Sequence, residues 1–493
     1  MKIHSVKLTN FKSIGENDHD EIILEPTVTA VIGRNESGKS NVLEGISKIA
    51  FIQKMNESVF GDNNINRNAR ESRISYSIIL KRTPDESDLL QKDTVVTISK
   101  GSYSVTGGIL DYFSEVIKVE LDAFYKIIVN STFQLVGKEA ETLQQKRNQI
   151  KVGDSLDIPS FEAALIFFEK WKPKVKVEKK EEYNHLLDTI REKWRRLCNF
   201  FPRIIYRNEK RTLQTEYRGE GIKTELNNKN SFLYEMFHFL GFTVEEILQA
   251  VSNNTDGKTE NLREKIQERI DNKINAPFHD FYSVEPVNLR IRFGINILSF
   301  YVKADHGSIM TLGERSEGLR WYLNLFIDVM ARNITSRQVI YLFDEPGISL
   351  HVKAQRELLT LFDDLAEKGN QIIYTTHSPF MLNVKQERLK QIRAVVKDES
   401  ENTRIYTSVF DPQISPVYQK DTLAPIWSAL GADMQGILSP DRILHKTGDG
   451  LSDYQNALVQ YQSALLKYRV GVYERNVLDD MRLSFELLVK DLL

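Results

Sequence analysis

Residues 33 to 41 read Gly-Arg-Asn-Glu-Ser-Gly-Lys-Ser-Asn, and from Gly33 to Ser40 they fit the pattern G-x-x-x-x-G-K-S between an apolar run, "VTAVI", and a helix-like run beginning near Lys39. The spacing has a chemical reason. Gly33 and Gly38 let backbone N–H groups turn inward around phosphate oxygens, and the helix N-terminus behind them adds a favourable dipole. Lys39 reaches the outer phosphates, and Ser40 offers a hydroxyl to magnesium. Arg34, Asn35, Glu36, Ser37 and Asn41 complete the stretch that would line a nucleotide.

Three further phrases carry compatible chemistry. "VIYLFDEP" is an apolar strand that delivers adjacent carboxylates at its end: Asp344 to hold magnesium through its hydration shell, Glu345 to polarise an attacking water as general base. "IIYTTHSP" ends a second apolar strand at His377, placed to hydrogen-bond a terminal phosphate or that water. "GERSEGLRWYLNLF" sets Ser316, Glu317 and Gly318 at the start of an apolar helix, so that a hydroxyl and a bare backbone N–H lie at a helix N-terminus.

The elements that must position these residues alternate. Residues 1–105 read mostly as strands around one helix, and residues 106–285 turn helix-compatible and charge-rich, as a helical insertion. Strand pattern returns with "VNLRIRFGINILSFYVKAD", and residues 286–400 continue as helix, strand, helix, strand. That order predicts an α/β fold with a mostly parallel sheet completed by segments far apart in sequence, beside an antiparallel β lobe. Residues 401–493 close with Leu478, Met481, Phe485, Leu488 and Leu492, spaced like one seam of a heptad, which serves equally a helix packed on its own domain or a dimer seam.

Composition excludes several classes. A chain of 493 residues exceeds one ordinary core, and 41% hydrophobic with 27% charged residues is ordinary for globular protein. No apolar run approaches the roughly 20 residues that span a bilayer, and the N-terminus lacks a signal-like apolar core, so a cytoplasmic protein with no membrane partner is expected. Cys198, the single cysteine, excludes an internal disulfide and reads as a buried thiol in "LCNFF". Lysine plus arginine (66) against aspartate plus glutamate (68) leaves net −2, so any contact with DNA must come from a local patch. Candidates are "KWKPKVKVEKK" (170–180) and "REKWRR" (191–196), although a charge run is usually a solvated helix face.

The phrases "RNESGKSNVLEGI", "RSEGLRWYLNLF", "LFDEPGISLHVKAQ" and "YTTHSPFML" together resemble the ABC-type ATPase head of the structural-maintenance-of-chromosomes (SMC) proteins and of the RecF and Rad50 repair ATPases. Above all they resemble the overcoming-lysogenization-defect (OLD) family, over roughly the first 400 residues. The resemblance implies that Gly33, Gly38, Lys39 and Ser40 form a Walker A loop, Asp344 and Glu345 a Walker B pair, and His377 a switch histidine. It also implies that Ser316 to Gly318, here Ser-Glu-Gly, form a signature facing the nucleotide of a second subunit. ATP and Mg2+ would then be held between two chains, as a homodimer or higher homo-oligomer.

OLD-like nucleases continue into a Toprim domain that opens on a metal-binding glutamate. Here the corresponding phrase reads His445-Lys446-Thr447-Gly448, and only forty residues follow Asp453. A Toprim sheet needs on the order of 100 residues. Asp441, Asp449 and Asp453 are therefore read as turn and cap residues, and the metal site as an outline without its ligand. Three functions follow: an ATPase that engages DNA or drives a separate effector protein in genome maintenance or defence against phage; an ATP-dependent scaffold holding a toxin or nuclease partner without DNA; and, furthest from the residues, a self-contained nuclease.

Overall fold

The computed structural model describes residues 1–16, 21–48, 66, 75–82, 92–99, 102–117, 156–157, 165–166, 168–170, 172–174, 177–207, 212–254, 256–304, 307, 309–332, 338–382, 388 and 390–407. Every structural statement here concerns those residues. The expectations for Asp441, Asp449, Asp453 and the seam from Leu478 to Leu492 lie outside them, as does Trp171.

The runs Val28–Ile32, Val339–Phe343 and Gln371–Thr376 are buried along their whole length. Strands with no polar face must be covered on both sides, which is the habit of parallel sheets. They form the centre of a six-stranded sheet, ordered Thr403–Tyr406, Ile392–Lys397, Val28–Ile32, Gln371–Thr376, Val339–Phe343, Arg203–Arg207. All its pairings are parallel except that of Thr403–Tyr406. The parallel register brings the ends of Val28–Ile32, Val339–Phe343 and Gln371–Thr376, and hence the loops that follow them, to one edge.

Alternate residues of these strands enter two different cores. Ala30, Ile32, Tyr341, Phe343, Ile372 and Tyr374 face the helices Glu317–Arg332 and Val352–Glu367. Val31, Ile340, Leu342 and Ile373 face the helix Lys39–Ser47, the N-terminal lobe and the helix Lys180–Phe200. A one-residue slip of any central strand would exchange these sets, so packing fixes the register that aligns the loops.

The N-terminal lobe is a six-stranded antiparallel sheet of Glu21–Ile23, Lys2–Thr9, Ser75–Lys81, Thr94–Ser99, Ser102–Gly107 and Leu156–Asp157. A smaller antiparallel sheet pairs Val287–Gly294 with Ile297–Ala304, flanked by Ile309–Thr311 and Glu216–Arg218.

The stretch 106–285, expected as a helical insertion, does hold the helix Lys180–Phe200, but also the strand Arg203–Arg207, an edge strand of the central sheet. Pro202 ends the helix, and "RIIYR" pairs in parallel with Val339–Phe343. The sheet that carries the site is thus completed from within the stretch read as inserted. A buried ion pair anchors this edge: Arg207 Nη1 lies 3.5 Å from Asp328 Oδ2 on the helix Glu317–Arg332, and Arg332 Nε lies 3.1 Å from the other Asp328 oxygen.

Along Lys180–Phe200, Tyr183, Leu187, Ile190, Trp194 and Leu197 are buried, a seam of alternating four and three. Trp194 is therefore core, edge-on to Phe113 at 6.2 Å, rather than a ring available for stacking. Cys198 is half-buried against the same core. No helix among the described residues is long and apolar enough to cross a membrane.

Candidate functional site

The turn after Val28–Ile32 closes with Gly38 at φ 102°, a left-handed conformation that ordinary side chains rarely adopt. An added Cβ there would also meet Thr403 Oγ1 at 2.1 Å. Gly38 caps the helix Lys39–Ser47 without a side-chain hydrogen bond, so the first amides of this helix are not occupied by a capping side chain. Glu36 also takes a positive φ, 63°, which coils the loop inward.

Around this loop three residues distant in sequence form a clasp. Thr403 Oγ1 donates to Ser37 O at 2.8 Å and lies 2.7 Å from Ser13 Oγ, and Asn41 Nδ2 donates to Ser13 Oγ at 2.7 Å. Arg34, Asn35 and Glu36 are exposed, as is Ser40 on the first helical turn. With Ser37 the first three form one wall of a cleft of about 230 Å³ whose other wall is Val395 to Asp398 and Glu401.

Lys39 is 5% exposed. Its ammonium donates to Gly33 O and Arg34 O, each at 2.9 Å, and forms an ion pair with Glu345 Oε1 at 3.3 Å. An ammonium has three donors, so these contacts use its whole capacity. Glu345 is held in turn by His377, whose Nδ1 lies 2.7 Å from Oε2 and whose backbone N–H donates to the same oxygen at 3.3 Å. Lys39, Glu345 and His377 therefore form one continuous chain of contacts across three loops.

Glu345 sits at φ 46°, a conformation that costs a non-glycine residue on the order of 1–3 kcal/mol and persists only when its surroundings hold it. Thr375, fully buried on the neighbouring strand, supplies part of that hold. Its hydroxyl donates to Asp344 Oδ1 at 2.6 Å and accepts from the Glu345 N–H at 2.8 Å, fixing both carboxylate-bearing residues from one atom. Near Asp344, burial together with the Asp344 and Glu44 carboxylates pushes the Tyr206 phenol up to about 12, so a neutral phenol stands in the Asp344 field.

Ser316 to Gly318 are not joined to this chain of contacts. Ser316 and Glu317 are exposed, and the Ser316 hydroxyl accepts from its own helix, from Leu319 N at 3.3 Å. Gly318 is buried against the turn after Glu345: a Cβ there would lie 2.7 Å from Ser349 O. The glycine is needed for that close approach.

The loop chemistry fits a triphosphate: an uncapped helix N-terminus, a buried ammonium aimed at the turn, and a Ser37 hydroxyl 3% exposed that has no hydrogen-bond partner among the described residues. Ser40 and Asp344 are the residues that would hold magnesium. Among the described residues no cluster of three or more His, Cys, Asp or Glu could hold a metal ion by itself.

Residues that pattern reading passed over are Thr375, Ser13, Thr403, Gln355 and Ser378. Thr375 had a signal, a hydroxyl directly after the apolar run "IIY" and two positions before His377. Ser13 and Thr403 had none, being 390 residues apart.

A family model described as the AAA ATPase domain matches residues 1–382. No curated protein matches the sequence. Among solved structures, the chain is similar to an SMC head domain from Thermotoga maritima at 12% identity and TM-score 0.39, covering 82% of this chain and 98% of that one. It is similar to an Smc head with an extended coiled coil, bound to the C-terminal domain of ScpA, derived from Pyrococcus furiosus, at 14% identity and TM-score 0.38, covering 82% and 95%. A third is an Smc head with a coiled coil and joint from Pyrococcus yayanosii, at 14% identity and TM-score 0.39, covering 87% and 99%.

Proposed function

The chain belongs to the AAA ATPase domain family, and from that premise we propose that it binds ATP with magnesium on the Gly33–Ser40 loop, closes on a second copy of itself, and hydrolyses the nucleotide through Glu345. The observation that carries this reading is the chain from Lys39 through Glu345 to His377.

Lys39 is already desolvated and aimed at the turn, so phosphate oxygens need only replace Glu345 and the loop carbonyls as its partners. Losing Lys39 frees Glu345 Oε1 to accept a proton from an attacking water, while His377 keeps the carboxylate oriented through Oε2. Asp344, oriented by Thr375, and Ser40 would hold magnesium, which would supply charge neutralisation on the phosphates.

The exposed Ser316–Glu317 turn supports the dimeric part of the proposal. Neighbouring Gly318 packs on Ser349 O, and the Ser316 hydroxyl meets the N–H of Leu319 on its own helix; we assign this turn to the nucleotide of a second chain, as the resemblance to an ABC-type signature implies. ATP then acts as a dimerisation ligand whose hydrolysis releases the pair. We assign the output to an effector protein or to DNA, in genome maintenance or defence against phage; this assignment rests on the resemblance to the OLD family.

The test measures ATP hydrolysis and oligomeric mass together, for the wild type and for Glu345→Gln, with and without DNA. A mutant that retains ATP in a larger assembly supports the proposal, and DNA stimulation selects DNA engagement over the scaffold. Absence of both ATP hydrolysis and ATP-dependent assembly overturns it.

A further inference from the structure

We infer that Gln355 is a positioning residue that couples the His377 loop to the Ser316–Gly318 edge, so that the nucleotide-sensing and partner-facing parts of one head move together. The inference rests on the function proposed above.

Gln355 lies on the first turn of the helix Val352–Glu367 and is 7% exposed. Its amide does not serve its own helix. Nε2 donates to Gly347 O at 2.9 Å and Leu350 O at 3.2 Å, and Oε1 accepts from Ser378 Oγ at 2.6 Å. Both N–H donors and one carbonyl lone pair are thereby engaged with two separate loops.

One of those loops begins at His377. Ser378 is its neighbour, and the hydroxyl that reaches Gln355 also receives the N–H of Phe380, which closes the turn Pro379–Met381. The other loop is the turn after Glu345. It already closes on itself through Leu350 N to Gly347 O at 2.9 Å, so the two bonds from Gln355 are not needed to form it. What they add is a link to Ser378. From the same turn, Ser349 O lies against Gly318, close enough to exclude a side chain.

The path from the sensor to the partner-facing edge is thus His377, Ser378, Gln355, Gly347 with Leu350, Ser349, Gly318, each step a covalent neighbour, a hydrogen bond or a van der Waals contact. The buried Gln355 amide, with both N–H donors and its carbonyl engaged, has few alternative arrangements and so transmits displacement between the half-buried Ser378 and the turn. Within this path, Gln355 is the member whose side chain bonds to both loops. When bound nucleotide displaces the His377 loop, Ser378 pulls on Gln355, and the turn that supports Gly318 follows.

The test compares Gln355→Leu, Ser378→Ala and the double variant. The assembly measurements are made in the Glu345→Gln background, by titrating a fluorescent ATP analogue and recording ATP-driven oligomeric mass; kcat and KM are measured in the wild-type background. Expected is nucleotide affinity within about threefold of the parent, assembly and kcat reduced about tenfold, and a double variant no worse than Gln355→Leu, as for residues in one network. Unchanged assembly in Gln355→Leu overturns the inference, as does parallel loss of affinity, assembly and thermal stability, which marks a merely structural role. Should Gln355→Leu fail to fold, Ser378→Ala alone decides, since it removes the hydroxyl shared by Gln355 and Phe380 N and leaves the backbone bond from Met381 N to Ser378 O at 3.2 Å to close its turn. A Glu345→Gln parent that neither binds ATP nor assembles overturns the proposed function itself, whereas a parent that assembles alongside an equally competent Gln355→Leu overturns the coupling alone.

Discussion

The phosphate loop and the Ser316–Gly318 turn both place small residues at a helix N-terminus, yet they are finished to different degrees. At the loop, the ammonium and the carboxylates already have partners from this chain: Lys39 holds two carbonyls and Glu345, Glu345 holds His377, and Asp344 holds Thr375. At the turn, the Ser316 hydroxyl meets the N–H of Leu319, at a long 3.3 Å, and Glu317 faces outward. The charged groups of the loop are held within one chain, while its helix N-terminus and the Ser37 hydroxyl stay open. On the function proposed above, the exposed Ser316 turn meets its ligand on a second copy.

The strongest way to break this comparison is at Glu345. Replacement by Gln removes the base and one anion from the loop while preserving shape, so turnover should fall by about 10²- to 10⁴-fold, the usual worth of a positioned general base. Affinity for ATP should not fall, because Lys39 loses a competing carboxylate. Parallel loss of affinity and turnover in steady-state and equilibrium titrations would show Glu345 to be a structural anchor of Lys39 instead.

Thr375→Val sharpens the same half. It keeps the β-branched shape on a buried strand and deletes the atom that touches both Asp344 and the Glu345 amide. A half-buried N–H left without its acceptor loosens the positive-φ turn that aims Glu345, so kcat should drop roughly tenfold or more with KM little changed. An unaltered kcat would mean that the φ 46° conformation of Glu345 is held by the turn alone.

How far these partners could be read from sequence follows from distance along the chain. The loop, the Asp344–Glu345 pair and His377 are legible because each is a contiguous phrase whose strand and helix periodicity lie next to it. Thr375 is partly legible, since a threonine facing inward among "QIIY" calls for a polar partner. Ser13 with Thr403, and Gln355 with Ser378, are invisible because their meeting depends on strand order, which local pattern does not encode. The strand Arg203–Arg207 was concealed differently. Five residues directly after a long amphipathic helix carry too little periodicity to stand out, and only pairing with Val339–Phe343 makes them a strand. The helix Lys180–Phe200 shows the opposite case: its seam is plain in the sequence, and that seam is what takes Trp194 out of the basic face.

At the unfinished half, Ser316→Asp separates capping from phosphate binding. Asp is as good an N-cap as Ser, so the helix Glu317–Arg332 should keep its stability, with Tm unchanged. The added charge would face a second copy's triphosphate, and ATP-driven assembly should weaken about tenfold while each head still binds ATP. Assembly at wild-type strength would show that this edge does not meet a phosphate, and the contrast between the two helix termini would lose its meaning.

The smallest effect is expected at the basic face of the helix Lys180–Phe200. Arg191 Nη2 lies 2.5 Å from Glu169 and Arg196 Nη2 2.7 Å from Glu192, and Trp194 faces the core, so Trp194 offers no ring for stacking and these two arginines already hold carboxylates. Arg195 and Arg196 are exposed. Reversing both to Glu should therefore alter DNA affinity in the ATP state by less than about threefold. The dependence on salt should keep its slope, which would fall by about 0.9 for every DNA phosphate that these arginines neutralise. A titration at two ionic strengths decides the matter. A flatter slope with weaker binding would mean that DNA breaks the Glu192 pair to recruit Arg196, and would move the DNA interface onto the helix that precedes the sheet's edge strand.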